Sequence, residues 1–245
     1  MASEAVHAHA DHAHAKQAFI WRYVFSKDHK VIAVQYYVTA MAMALIAGLL
    51  AMLVRLQLAW PEKDYTWLGK IFPMGYDVGG GFGVMRPEFY AMLFTMHGTI
   101  MVFFVLSTAP VSGFGNLLIP LQVGARDMAF PFLNGLSYWT FLPGCLVILA
   151  SFFVETGAAA GGWTSYPPLS ALKGAVPGSG TGQTLWIVGM TFFIASFTMG
   201  GLNFVTTILN LRTKGLSLFR MPLTMWAMFL VAILGLLAFP ALVAA

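Results

Sequence analysis

An all-α polytopic membrane bundle of five spanning helices is the fold class this sequence predicts, on three observations. Hydrophobic residues make up 59% of the 245-residue chain and charged ones only 9%, against about 25% charged in an ordinary soluble domain. The mean hydropathy is +0.78. Five apolar runs reach the roughly 20 residues that a helix needs to cross a hydrocarbon core of about 30 Å. The net charge of +4 is too diluted by apolar sequence to point to nucleic acid. Basic residues beside membrane spans read instead as topology signals. The single cysteine, Cys145, lies in an apolar run, which excludes a disulfide framework and a cysteine metal site.

The chain divides into a tail, residues 1–18, and a membrane region, residues 19–245. The tail alternates alanine with His7, His9, His12 and His14 around Asp11. Imidazole is a common metal ligand, but compositional bias alone is weak evidence, and a disordered solvated tail is the preferred reading. It has no apolar core of the kind a secretory signal needs. Residues 19–30 are basic and amphipathic, with Trp21 and Tyr23 suited to a membrane interface. Spanning helices are expected over 31–58, 90–121, 132–155, 183–211 and 222–245. A loop with Trp60, Tyr65, Trp67 and Gly79 to Gly81 joins the first two. A short turn over 122–131 joins the second and third, and a loop over 156–182 the third and fourth. Lys16, Arg22, Lys27, Lys30, Arg126, Arg212, Lys214 and Arg220 fall on one side of these helices. Lys63, Lys70, Arg86 and Lys173 fall on the other, over longer loops. The positive-inside rule then places the amino terminus in the cytoplasm. The fifth helix runs to Ala245 with no polar flank, which reads as a chain that stops early.

Ionisable residues at membrane depth are rare and default to a functional hypothesis. His97 is expected two turns into the second helix, roughly 10 Å inside the outer surface at 1.5 Å per residue. A neutral imidazole there suits a haem iron or a hydrogen bond to a neighbouring helix. Gly98 beside it would let a planar group approach the backbone. Arg55 on the first helix reads as a snorkelling helix-end cation, or as a guanidinium bonded to a cofactor substituent. Asp127 occupies the cytoplasmic turn, with Asn116 and Asn134 on either side. Asn203 lies mid-membrane near Ser196 and Thr198. Such groups either join helices or line a water path. A carboxylate at a mouth followed by amides and hydroxyls is what proton uptake requires, because water chains need fixed donors and acceptors. Glu155 reads as an interfacial carboxylate at the outer end of the third helix.

Six segments carry a resemblance: Arg22 to Lys30 (RYVFSKDHK), Thr95 to Gly98 (TMHG), Gly113 to Asn116 (GFGN), Gly124 to Pro131 (GARDMAFP), Gly162 to Pro168 (GWTSYPP) and Asn203 to Thr207 (NFVTT). In this order and spacing the chain resembles subunit I of the haem-copper oxidases over nearly all of residues 20–245, most like the A-type cytochrome c oxidases. The resemblance implies the first five of about twelve helices. It implies that His97 is an axial ligand of a low-spin haem, of the haem a type, with Arg55 near its formyl group. It further implies that Asp127 opens the D proton channel, lined by Asn116, Asn134 and Asn203, with Ser196 farther along. The family has a serine pair there, and the second position here is Phe197.

The family's His-Pro-Glu-Val-Tyr motif and its other haem and copper ligands do not occur, and His29 is assigned to the tail. The resemblance therefore places copper and the high-spin haem only in the complete subunit, so this chain is expected to be inactive alone, as a truncated product or half of a split subunit. Expected partners are the remaining helices of subunit I, subunits II and III, cytochrome c as donor and membrane lipid, in a bacterial-type inner membrane. The runner-up is a quinol oxidase, whose quinone-site pattern resembles polar residues at positions that here are Ile46, Leu50, Phe89 and Met92. A third reading, of another class, is a non-catalytic membrane module that packs against a partner chain.

Overall fold

The first spanning helix starts where Asp28 caps it: the side-chain Oδ1 accepts the Lys30 N–H at 2.8 Å, one of the donors that a helix leaves unpaired at its start. In this computed structural model, residues 19–72, 84–154, 156–176 and 178–244 are described. The histidine tail with Asp11 and Lys16, the Gly79 to Gly81 run and Glu155 lie outside the described residues.

Among the described residues, five helices are long and apolar enough to cross a membrane: α1 (His29–Ala59), α2 (Pro87–Val123), α3 (Pro131–Phe153), α4 (Thr181–Asn210) and α5 (Leu223–Ala244). Among the described residues there is no β-strand. α2 and α3 begin with Pro87 and Pro131 in their first turns, where the missing N–H removes nothing from the helix and φ is already set. These prolines explain why α2 starts three residues before the sequence expectation. His29 is the first residue of α1 and is buried, so its assignment to the tail is corrected. The expected interfacial segment forms one short turn, Ile20–Val24, with Phe19 and Trp21 exposed and the Phe25 ring stacked on Trp139.

α2 is not uniform. An α-helical start, Pro87–Thr99, passes into wider π-type winding over Ile100–Leu106 and Thr108–Gly113, then returns to α over Phe114–Val123. The hydroxyls of Ser107 and Thr108 donate to the carbonyls of Val102 and Phe103, five residues back. The helix ends at Gly124, whose φ of 78° lies in the left-handed region that favours glycine.

α2 occupies the centre, with 56% of its apolar window buried, against 22% for α1 and 11% for α5. The most extensive pairing joins α3 to α4. It is made possible by glycines, since a β-carbon at Gly144 would stand 3.1 Å from the Gly189 carbonyl, and one at Gly189 would overlap Ile148. Small residues that let backbones approach are how helices associate in lipid, where there is no hydrophobic drive between them.

Candidate functional site

α2 carries a chemically distinctive group at each end. At one end His97, in the third turn, is half-buried and points its Nδ1 at the Ala47 carbonyl of α1, 2.9 Å away. A carbonyl can only accept, so Nδ1 holds the proton and Nε2 keeps its lone pair. That tautomer, with its ring plane fixed by a backbone acceptor, is the one a metal-bound histidine uses. The donor set thus fits haem iron. Among the described residues no three His, Cys, Asp or Glu side chains come together.

The surroundings of His97 are sewn together by groups that sequence reading left aside. The Gly162 N–H donates to Thr95 Oγ1 at 3.0 Å, and the Trp186 indole N–H donates to Thr99 Oγ1 at 3.0 Å. Gln183 Nε2 donates to Ser165 Oγ at 2.7 Å. Trp163 lies against Gly98, its Cδ1 3.4 Å from where a β-carbon would stand. The planar group that approaches Gly98 is therefore the chain's own indole. The signal for this was the Gly162 to Pro168 segment, whose aromatic and turn residues fold back onto the histidine turn.

Arg55 is exposed on α1. It stands eight residues beyond Ala47, about 12 Å along the helix at 1.5 Å per residue. It therefore sits away from the His97 level and can meet only a group that extends along α1 from there.

At the other end, Asp127 is half-buried in the turn between α2 and α3, and its Oδ1 accepts the Met128 N–H at 2.7 Å. The turn is clamped to α4. Asn203 Oδ1 accepts the Phe130 N–H at 2.9 Å and its Nδ2 donates to the Phe130 carbonyl at 3.2 Å. Thr207 Oγ1 accepts the Ala129 N–H at 2.9 Å. The Asn203 amide is thus committed to the backbone, in the helix-joining role.

Asn116 and Asn134 differ from it. Both are buried; Asn116 Oδ1 and both polar atoms of the Asn134 amide find no hydrogen-bond partner among the described residues. Buried amides in native proteins are nearly always paired with protein or water, so these atoms call for a partner beyond the described residues. Next to them is a hydroxyl cluster. Tyr36 Oη donates to Ser137 Oγ at 2.9 Å and lies 3.1 Å from Ser196 Oγ. Ser196 Oγ donates to the Ser137 carbonyl and Ser137 Oγ to the Asn134 carbonyl, each at 2.7 Å. His29 joins this region from the tip of α1, its Nδ1–H donating to the Asn116 carbonyl at 2.8 Å. Tyr36, Ser137 and His29 were not read as site residues from the sequence. Each sits in an ordinary apolar or interfacial context, and only folding brings them to Ser196 and Asn116.

The sequence model of the family described as cytochrome c and quinol oxidase polypeptide I matches residues 31–245. The chain belongs to this family. The alternative cytochrome c oxidase subunit 1 of Bradyrhizobium diazoefficiens is 47% identical over 221 residues, covering 90% of this chain and 34% of that protein. Cytochrome c oxidase subunit 1 of Synechocystis is 40% identical over 232 residues, covering 95% and 37%. That of Thermostichus vulcanus is 38% identical over 222 residues, covering 91% and 36%. The chain spans about a third of the length of these curated relatives. In this chain the one helix α2 carries both the half-buried His97 imidazole and, nineteen residues later and past the wider winding, Asn116, whose Oδ1 has no partner among the described residues.

Proposed function

We propose that the chain forms the low-spin haem flank and the proton entry of a cytochrome c oxidase catalytic subunit. The observation that carries this is His97: a membrane-depth imidazole whose Nδ1–H is held by Ala47, so that Nε2 is presented as a ligand. The haem, haem a in this reading, supplies one-electron transfer when bound. His97 would hold it, with the Ala47 carbonyl fixing the ring and raising its basicity, and Arg55 would offer a cation to a polar edge substituent. In this reading the remaining haem and copper ligands and the reduction of oxygen to water would belong to further segments of the complete subunit, acting with subunits II and III.

On the proton side, Asp127 collects protons at the mouth. Asn116 and Asn134 hold water by their unpaired amide atoms, and Ser196, Ser137 and Tyr36 continue the route. Asn203 acts by fixing the turn that carries Asp127 rather than by offering free polar atoms. Orientation follows from charge: Arg22, Lys27, Lys30, Arg126, Arg212, Lys214 and Arg220 belong to segments at the Asp127 end. These segments meet there, with the Thr213 N–H bonded to the Val123 carbonyl and Gly135 packed on the Ser26 carbonyl. That end faces the cytoplasm of a bacterial-type inner membrane, the amino terminus included. Cytochrome c is preferred to quinol as donor because Phe89, Met92 and Leu50 are fully buried apolar core, not the polar lining a quinone headgroup needs.

The test is Asp127→Asn in the complete oxidase. Proton uptake from the cytoplasmic side should fall at least about tenfold, the effect of removing a positioned proton carrier. Unchanged uptake would remove Asp127 from the route.

A further inference from the structure

The aim of His97 is set by what grips the far side of its helix. Thr95, Gly98 and Thr99 stand at i, i+3 and i+4 and so share one face of α2. At about 3.6 residues per turn, His97 lies roughly 150° round from them, turned to the Ala47 carbonyl of α1. All three rear positions are held. The Gly162 N–H donates to Thr95 Oγ1 and the indole N–H of Trp186, on α4, donates to Thr99 Oγ1, each at 3.0 Å, while Trp163 packs on Gly98. Thr95, Thr99 and Trp186 are buried.

Thr99 is the position that matters most, because the winding changes there. The α-helical start of α2 ends at Thr99 and the wider π-type turns begin at Ile100. The Ile100 N–H is shared between the Met96 and His97 carbonyls, so the backbone at this step is divided between two bonding patterns. Thr99 Oγ1 donates to the Thr95 carbonyl at 2.9 Å and closes the last α-type turn with a side-chain bond. A hydroxyl carries one proton and an indole N–H can only donate. The chain therefore runs one way, from Trp186 through Thr99 to the Thr95 carbonyl, and its two bonds reinforce each other. The start of α4 supports the same grip. Gln183, three residues before Trp186, donates to Ser165 Oγ at 2.7 Å. Ser165 has a φ of 54°, a left-handed conformation that non-glycine residues rarely adopt, and it belongs to the loop that brings Gly162 and Trp163 to α2.

We propose that Trp186 is a positioning residue for the haem ligand: through Thr99 it fixes the rotation of the helix turn that aims His97 Nδ1 at the Ala47 carbonyl. The proposal rests on His97 being that ligand. Loss of the indole N–H frees the turn to rotate and slackens the Nδ1–H bond to Ala47. That bond raises the basicity of Nε2, so slackening it weakens electron donation, favours reduced iron and raises the midpoint potential.

The experiment uses the complete oxidase and reads the midpoint potential of the low-spin haem by optical redox titration, together with the position of its absorption band. Trp186→Phe keeps a ring and removes the N–H. The ratio of reduced to oxidised low-spin haem at a fixed ambient potential should rise about tenfold, the order of effect that outer partners have on a bound metal, or about 59 mV for one electron. The band should move with it. Thr99→Val removes the acceptor at nearly constant volume and should shift the potential in the same direction, while Thr99→Ser restores the hydroxyl and should keep the parent value. In the Thr99→Val background, Trp186→Phe should add almost nothing, the coupling expected of two groups joined by one bond. Should Trp186→Phe fail to assemble, Thr99→Val must still shift the potential and Thr99→Ser must not. An unchanged potential and band in Trp186→Phe, an equal shift from it with and without the Thr99 hydroxyl, or Thr99→Ser shifted as far as Thr99→Val, would overturn the proposal. The ligand reading is judged separately by His97→Ala. A low-spin band lost there, with no coupling between Trp186 and Thr99, sinks the positioning role alone, while a band retained there sinks both.

Discussion

Three asparagines that look alike in the sequence do three different jobs. Asn203 is bonded through both amide atoms to the backbone of Phe130, Asn134 through neither, and Asn116 through its NH₂ alone, to the Ser112 carbonyl. Asn203→Ala should therefore destabilise the fold, because it removes the acceptor of the part-buried Phe130 N–H; an unpaired buried donor costs about 1–3 kcal/mol, the upper bound for this site. The readout is the thermal midpoint of the purified complex, which should drop. Asn134→Ala, by contrast, should leave the midpoint nearly unchanged and slow proton uptake. The sequence marked all three as unusual in apolar surroundings, His97 likewise at membrane depth, and Asp127 in the turn beside them. What it could not flag was Tyr36 with Ser137, because a tyrosine and a serine in apolar helices are common and these two stand 101 positions apart in the chain. Nor could it separate a lining amide from a clamping one, which is decided by whether a backbone partner stands within about 3 Å.

Helices are the level at which the sequence was most legible, since runs of about 20 apolar residues have few alternatives. Their ends shifted by two or three residues where prolines and the Asp28 cap set the first turn. The winding of α2 was not legible at all. Its π segments depend on hydroxyls of Ser107 and Thr108 satisfying carbonyls five residues back, and a wider turn of this kind often accompanies a functional site. Here it lies between His97 and Asn116 and so sets the rotation of one relative to the other. The contact of α3 with α4 is the firmest joint and hinges on Gly144, where an added β-carbon would press on the Phe192 β-carbon and the Gly189 carbonyl at 3.0 and 3.1 Å. Gly144→Val has no flexible neighbour to displace. It should lower stability by about 1–3 kcal/mol, the usual penalty for overpacking, measured as earlier loss of the assembled complex on heating. A variant of normal stability would mean that the α3 and α4 backbones can separate freely.

As a whole, the molecule keeps its two kinds of chemistry apart along one axis. The imidazole and the indoles of Trp163 and Trp186 gather at one end of α2, and the carboxylate, amides and hydroxyls at the other. α2 is enclosed while α1 and α5 turn apolar faces outward. The proposed electron site lies at the first end, where the Ala47 carbonyl holds the His97 Nδ1–H. The most direct test is the optical spectrum of the complete oxidase carrying His97→Ala. The low-spin haem band should vanish while the protein still assembles, because no other histidine among the described residues stands at that level of the bundle. A low-spin band of unchanged position and intensity would contradict the account.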